Sequence, residues 1–150
     1  MTRSLLIVVA AAAVLLGCST GRGLPPTTTA PPGASTPITV DRSTPERAAQ
    51  TLYLHLRAGD CRGVRDDLSA AELTNAVTKA GGEDQLCTRL QGPVRDFISR
   101  TNLEGVTKKS EESGRAVVTL RVRDASGRVD TSDLSLQFEG EAWKVSRFLF

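Results

Sequence analysis

The 150-residue chain reads as an α+β protein, with helices first and an antiparallel sheet afterwards. Three observations carry that reading. Between residues 45 and 100, apolar side chains recur every three or four positions, the spacing of one helix face. After Asn102 the period changes to two, as in strands with one buried face. Glycine-containing pairs at Ser113-Gly114, Ser126-Gly127 and Glu139-Gly140 then divide the second half into hairpin-length pieces. The sequence thus predicts N-terminal helices packed on a curved C-terminal antiparallel sheet of about four strands.

The elements follow in order. Ser43 and Glu46 stand three apart, a capping box, and Pro45 falls in the first turn, where its missing N–H costs nothing. Ala49, Leu52, Tyr53 and Leu56 continue at helical spacing, and Gly59 ends this first helix. A short second helix is expected over 61–68, with Val64 and Leu68 inward. Ser69 and Glu72 form another capping box, for a helix that reaches Ala80 and breaks at Gly81-Gly82. A fourth helix spans 83–100. Leu86, Leu90, Val94, Phe97 and Ile98 share its apolar stripe, and Pro93 inside it predicts a kink.

Beyond it, Ala116, Val118, Leu120 and Val122 alternate with Val117, Thr119, Arg121 and Arg123. Leu134, Leu136 and Phe138 alternate with Ser135 and Gln137, and Trp143 and Val145 with Lys144 and Ser146. A shorter first strand is placed near 105–109, and Lys108-Lys109 followed by Glu111-Glu112 reads as a solvated turn.

Ahead of the domain lies a different kind of sequence. Arg3 precedes an unbroken apolar run from Leu5 to Leu16, then Gly17 and Cys18. This is the layout of a secretory signal peptide. Twelve helical residues span roughly 18 Å, short of the ~30 Å hydrocarbon core, so the run is a poor permanent membrane helix. Leu15-Leu16-Gly17-Cys18 resembles the lipobox of bacterial lipoproteins. The resemblance implies cleavage before Cys18 and a diacylglyceryl anchor with palmitate-type acyl chains on its sulfur. Two acyl chains hold a protein stably on a bilayer where one does not. Residues 18–42 then form a tether: five of the seven prolines fall there, among threonines, serines and glycines. Thr27-Thr28-Thr29 beside prolines is a candidate for O-linked sugar. The expected organisation is a signal peptide over 1–17, the lipidated cysteine and tether over 18–42, and one folded domain over 43–150. The expected location is the extracytoplasmic face of the cell membrane.

With Cys18 assigned to lipid, Cys61 and Cys87 remain, an even pair in an exported domain, and a disulfide is expected. A metal is not, because His55 is the single histidine and no zinc spacing surrounds it. No cofactor motif is present: no phosphate-cradling glycine loop, no Gly-x-Ser-x-Gly, no His-Glu-x-x-His. The net charge of +2 drops further when Arg3 leaves with the leader, and Lys108-Lys109 is the only adjacent basic pair. Nucleic-acid binding needs a clustered basic surface and is not expected.

Two segments carry a family resemblance. Leu56-Arg57-Ala58-Gly59-Asp60, followed by Cys61 and Val64, is similar to the "aliphatic helix, Gly-Asp, short helix" opening of the nuclear transport factor 2-like (cystatin-like) superfamily. Gly140-Glu141-Ala142-Trp143-Lys144-Val145 is similar to its closing "Gly-x-x-Trp-Lys-Val" strand. The domain resembles in particular the small exported lipoproteins of unknown function in that superfamily. The resemblance implies a cone, a bent sheet around helices, open at one end to a pocket.

It also implies where chemistry would sit. Ketosteroid isomerase-like members place a tyrosine about eight residues before the Asp of the Gly-Asp pair; here that position is Leu52, and Tyr53 is turned about 100° away. Their aspartate base follows the short second helix; here that stretch is Leu68-Ser69-Ala70-Ala71-Glu72. No catalytic residue is therefore assigned. His55 is expected at or near the surface without a partner, and Asp66-Asp67 as a solvated helix end. Tyr53, Phe97, Phe138 and Trp143 are candidate pocket-lining residues, with plain core as the bland alternative. Phe148-Leu149-Phe150 calls for burial under the helices or a homodimer through the open sheet face.

The leading expectation is a non-enzymatic, lipid-anchored envelope protein that binds a partner protein or a small apolar ligand. The alternatives are an isomerase- or dehydratase-like enzyme, using for example Tyr53, His55 or Asp60, and a structural accessory factor for envelope machinery.

Overall fold

Four α-helical segments lead, with a last kinked turn, and a four-stranded antiparallel sheet follows; the computed structural model describes residues 37–147. Cys18, the leader, the tether as far as residue 36, and Phe148-Leu149-Phe150 lie outside the described residues.

Helix α1 (Pro45–Ala58) begins one residue later than the capping box implied. Thr44, not Ser43, is the N-cap: its side chain accepts from the Arg47 amide, and Pro45 takes the first helical position. Gly59 closes the helix at φ +69, a left-handed geometry that suits glycine. The same glycine leaves room for the Arg95 side chain, which a Cβ there would meet at 2.8 Å.

Helix α2 (Cys61–Asp67) is capped by Asp60, which accepts from the Gly63 amide. Helix α3 (Ala70–Ala80) starts at Ser69 and ends at Gly81, as the sequence predicts. Ser69 accepts from the Glu72 amide, and its own amide donates to the Val145 carbonyl, which ties the helix start to the last strand.

The fourth predicted helix is broken. Helix α4 (Glu83–Arg89) runs into a π-turn (Leu90–Val94) and then one further turn, α5 (Arg95–Ile98). Pro93 has no N–H to give the Arg89 carbonyl four residues back, so the α-helical ladder cannot pass through it. Gly92, at φ −103 and ψ −107, leaves helical geometry there. The kink changes the facing of everything after it. Leu86 and Leu90 are buried and Val94 and Ile98 half-buried, but Phe97 is 66% exposed rather than on the inward stripe.

Strands β1 (Thr101–Glu112), β2 (Arg115–Asp124), β3 (Val129–Glu139) and β4 (Ala142–Arg147) pair in sequence order as an antiparallel meander. β1 is far longer than the short strand expected and absorbs the segment read as a solvated turn. It carries two register shifts, at Leu103/Gly105 and Lys108/Ser110, which bend it and curve the sheet. The first hairpin turns on Ser113 and Gly114, both at positive φ. The third turns on Gly140 and Glu141, one residue later than Glu139-Gly140. The second is held by Asp124, whose carboxylate accepts from the Ser126 amide and hydroxyl and the Arg128 amide. Those bonds, the Ser126 hydroxyl first, hold it below the usual carboxylate range.

The inner face carries Ala116, Val118, Leu134, Leu136, Trp143 and Val145, all buried against Leu52, Leu56, Val64, Leu86 and Leu90 of the helices. The outer face is polar: Lys109 pairs with Asp133 at 2.6 Å, and Glu104 bridges Arg121 and Arg123. Cys61 and Cys87 form a disulfide joining the start of α2 to α4, with Cα atoms 5.3 Å apart. Residues 36–150 make one contact unit that holds every element, the disulfide and all the core residues named here, so this part of the chain supports its own fold.

Candidate functional site

Between α1, the kinked segment around Pro93 and the inner face of β2 and β3, the helical layer leaves a gap. A cavity of about 610 Å³ opens there, within the range of small-molecule sites. Leu52, Tyr53 and Leu56 of α1 form its floor. Pro93, Val94, Phe97 and Ile98 form one wall, and Leu120, Val122 and Leu134 of β2 and β3 the other. The lining is thus overwhelmingly aliphatic and aromatic.

The Tyr53 hydroxyl is turned out of the site's chemistry. It donates to the Thr101 carbonyl at 2.8 Å, so the residue offers the cavity a ring and no free phenol. Arg89 at the end of α4 and Asp130, Thr131, Ser132 and Asp133 of β3 complete the lining. Asp130 pairs with Arg128 at 3.1 Å, while Asp133 turns its carboxylate to the outer face, where Lys109 and the Thr119 hydroxyl meet it, each at 2.6 Å. The Lys109 ammonium, first, and the Thr119 hydroxyl keep the Asp133 carboxyl below its ordinary range. Arg89 makes no ion pair with any described residue. A larger depression of about 710 Å³ on the outer face is lined by Arg115, Gln137, Arg147 and several serines, and it is too open and polar to cover an apolar ligand.

A second cluster lies apart from the cavity. Asp67, 2% exposed, lies at the end of α2, with its Oδ2 2.6 Å from Nδ1 of His55 and its Oδ1 accepting from Arg42 Nε at 2.7 Å. His55 Nε2 is 3.9 Å from Asp60. His55 is therefore buried and paired, and Asp67 is no solvated helix end. Burial pushes the Asp67 carboxyl above its ordinary range, against the opposing hydrogen bonds from His55 and Arg42. Gly63 lets the imidazole in, since a Cβ there would come within 2.6 Å of the His55 ring. None of these residues lines the cavity, and no hydroxyl or thiol nucleophile joins them. The cluster pins the segment before α1 to α1 and α2; the Trp143 amide, donating to the Arg42 carbonyl, adds β4.

The four aromatic candidates divide into two pairs. Tyr53 and Phe97 line the cavity. Phe138 and Trp143 pack edge-to-face on each other, ring centres 5.6 Å apart, at the other end of the sheet beside the first hairpin turn. Arg89 and the strand residues Leu120, Val122 and Leu134 have no distinguishing sequence signal beyond helix position and strand alternation. Among the described residues no cluster of three or more His, Cys, Asp or Glu could hold a metal ion, and no helix is long and apolar enough to cross a membrane.

No protein-family model matches the chain, and no curated protein does. Similar solved structures exist at low identity. One is a SEC-C motif containing protein from Rhodopseudomonas palustris, 14% identical over 70% of this chain and 77% of that one, with a TM-score of 0.46. Another is a Campylobacter jejuni protein described as a nuclear transport factor 2-like transpeptidase, 13% identical over 67% and 95%, TM-score 0.48. A third, from Novosphingobium aromaticivorans and described as an aromatic ring hydroxylase, is 13% identical over 67% and 80%, TM-score 0.39.

Proposed function

We propose that this is a lipid-anchored envelope protein whose domain binds a small, mainly apolar ligand without transforming it. The observation that carries the reading is the 610 Å³ cavity with aliphatic and aromatic walls. A filled core with a bare apolar sheet face would favour a partner protein, but the outer face carries cross-strand ion pairs instead. Within the cavity the one phenol is bonded to backbone and the Asp130 carboxylate is paired, so no group is poised as nucleophile or general base. The lipobox-like Leu15-Leu16-Gly17-Cys18 and the proline-rich stretch after it support a domain held off a bilayer.

Native mass spectrometry of the protein taken from its own envelope tests the reading. The expected result is a co-purifying apolar molecule of a few hundred daltons and an N-terminus at a diacylated Cys18. A bare domain that takes up no apolar probe would sink the ligand claim, and an unmodified N-terminus elsewhere would sink the anchor.

A further inference from the structure

Resting on that reading of the cavity, we infer that its ligand is an acidic amphiphile, an aliphatic tail ending in one carboxylate, and that Arg89 selects the headgroup. The tail is called for by Leu52, Leu56, Val94, Leu120, Val122 and Leu134, which offer contact but no hydrogen bond. The headgroup follows from charge complementarity. Asp130 already faces Arg128, and Asp133 turns its carboxylate to Lys109 on the outer face, so neither presents uncompensated negative charge to a ligand. Arg89, which lines the cavity from α4, has no anionic partner among the described residues, which leaves one net positive charge at the margin of an apolar chamber. A guanidinium presents paired N–H donors that match a carboxylate in a fork. The Ser132 hydroxyl also lines the chamber, without a hydrogen bond to any described group. A cationic amphiphile would find no unpaired carboxylate there, and a neutral one would leave the arginine as it was. Arg89 ends α4 just before the π-turn, so the kink that opens the chamber also sets the position of the charge beside it.

The test compares three probes with one tail on residues 36–150, in detergent-free buffer, by isothermal titration calorimetry below their aggregation limits: decanoate, decan-1-ol and decyltrimethylammonium. The expected order is decanoate tightest, by about three- to tenfold over the alcohol at low salt, with the cation weakest. The preference shrinks as salt rises. Arg89→Gln, at an exposed position with no ion pair to lose, is expected to abolish the preference for decanoate over the alcohol, while Arg89→Lys keeps part of it. Equal affinity of all three probes for the wild type, or an acid preference that survives Arg89→Gln, overturns the headgroup assignment and leaves the apolar cavity intact. Failure of every probe to bind overturns the cavity reading itself.

Discussion

Among single residues, Asp67 has the most consequential surroundings. It is buried, and it holds Arg42 and His55 from two other parts of the chain. Truncating one member of such a cluster leaves the others in apolar surroundings without a partner. Asp67→Ala is expected to lower stability by about 3 kcal/mol in urea titrations followed by Trp143 emission, with little change in decanoate affinity. Glu141 makes the opposite case. It turns the last hairpin at φ +87, where a side chain is strained and glycine is not. Glu141→Gly is expected to raise stability by about 0.5–1 kcal/mol, read from the urea midpoint. Neither residue announces itself in the sequence. Asp67 resembles any helix-end acid, because its partners lie 12 and 25 positions away and only the folded chain brings them near. Gly140-Glu141 and Glu139-Gly140 differ by one register step that strand pairing alone decides.

At the scale of elements, local signals and local structure agree where the signal is self-contained. Ser69 caps α3, Gly59 and Gly81 end helices, and Pro93 breaks one, each through its own backbone chemistry. Phe97 leaves the inward stripe because a strict 3.6-residue period does not carry through a π-turn that resets the facing. The pattern predicts a short β1 because two bulges interrupt its alternation and its exposed residues are polar, so alternation alone does not extend it. The cavity is legible only in part: Pro93 predicts the kink, but no local signal marks the gap between that segment and the sheet. The disulfide joins α2 to the helix that leads into that kink. Its loop of 26 residues is worth about 3.5 kcal/mol on the chain-entropy account, so Cys61→Ser with Cys87→Ser is expected to move the urea midpoint accordingly. Thiol labelling of the denatured, unreduced protein is expected to mark neither cysteine; marking of both would refute the bridge.

For the molecule as a whole, the pH response follows from which carboxyls the fold favours as anions. Asp41 is lowered to about 2, chiefly by the Ser43 amide and hydroxyl and then Arg47. Glu104, Asp124 and Asp133 are lowered as well, Glu104 by Arg123 first and then Arg121. Their contributions are present above the ordinary carboxylate range and are lost as pH falls through the folded values. Asp67, raised by burial, has the opposite sign: its contribution is present at low pH and is lost as pH rises through its folded value. Thermal unfolding is therefore expected to fall as pH drops below about 4, more steeply in Asp67→Asn than in the wild type. A midpoint unchanged down to pH 2 would contradict this account. The Arg42 clasp has a mechanical consequence too. Whatever drags on the chain from its N-terminal side enters the globule at Asp41 and Arg42, which grip Thr51, Asp67 and the backbone of Trp143. Tension arriving there is shared at once among α1, α2 and β4, so the clasp divides the load before any one element bears it alone.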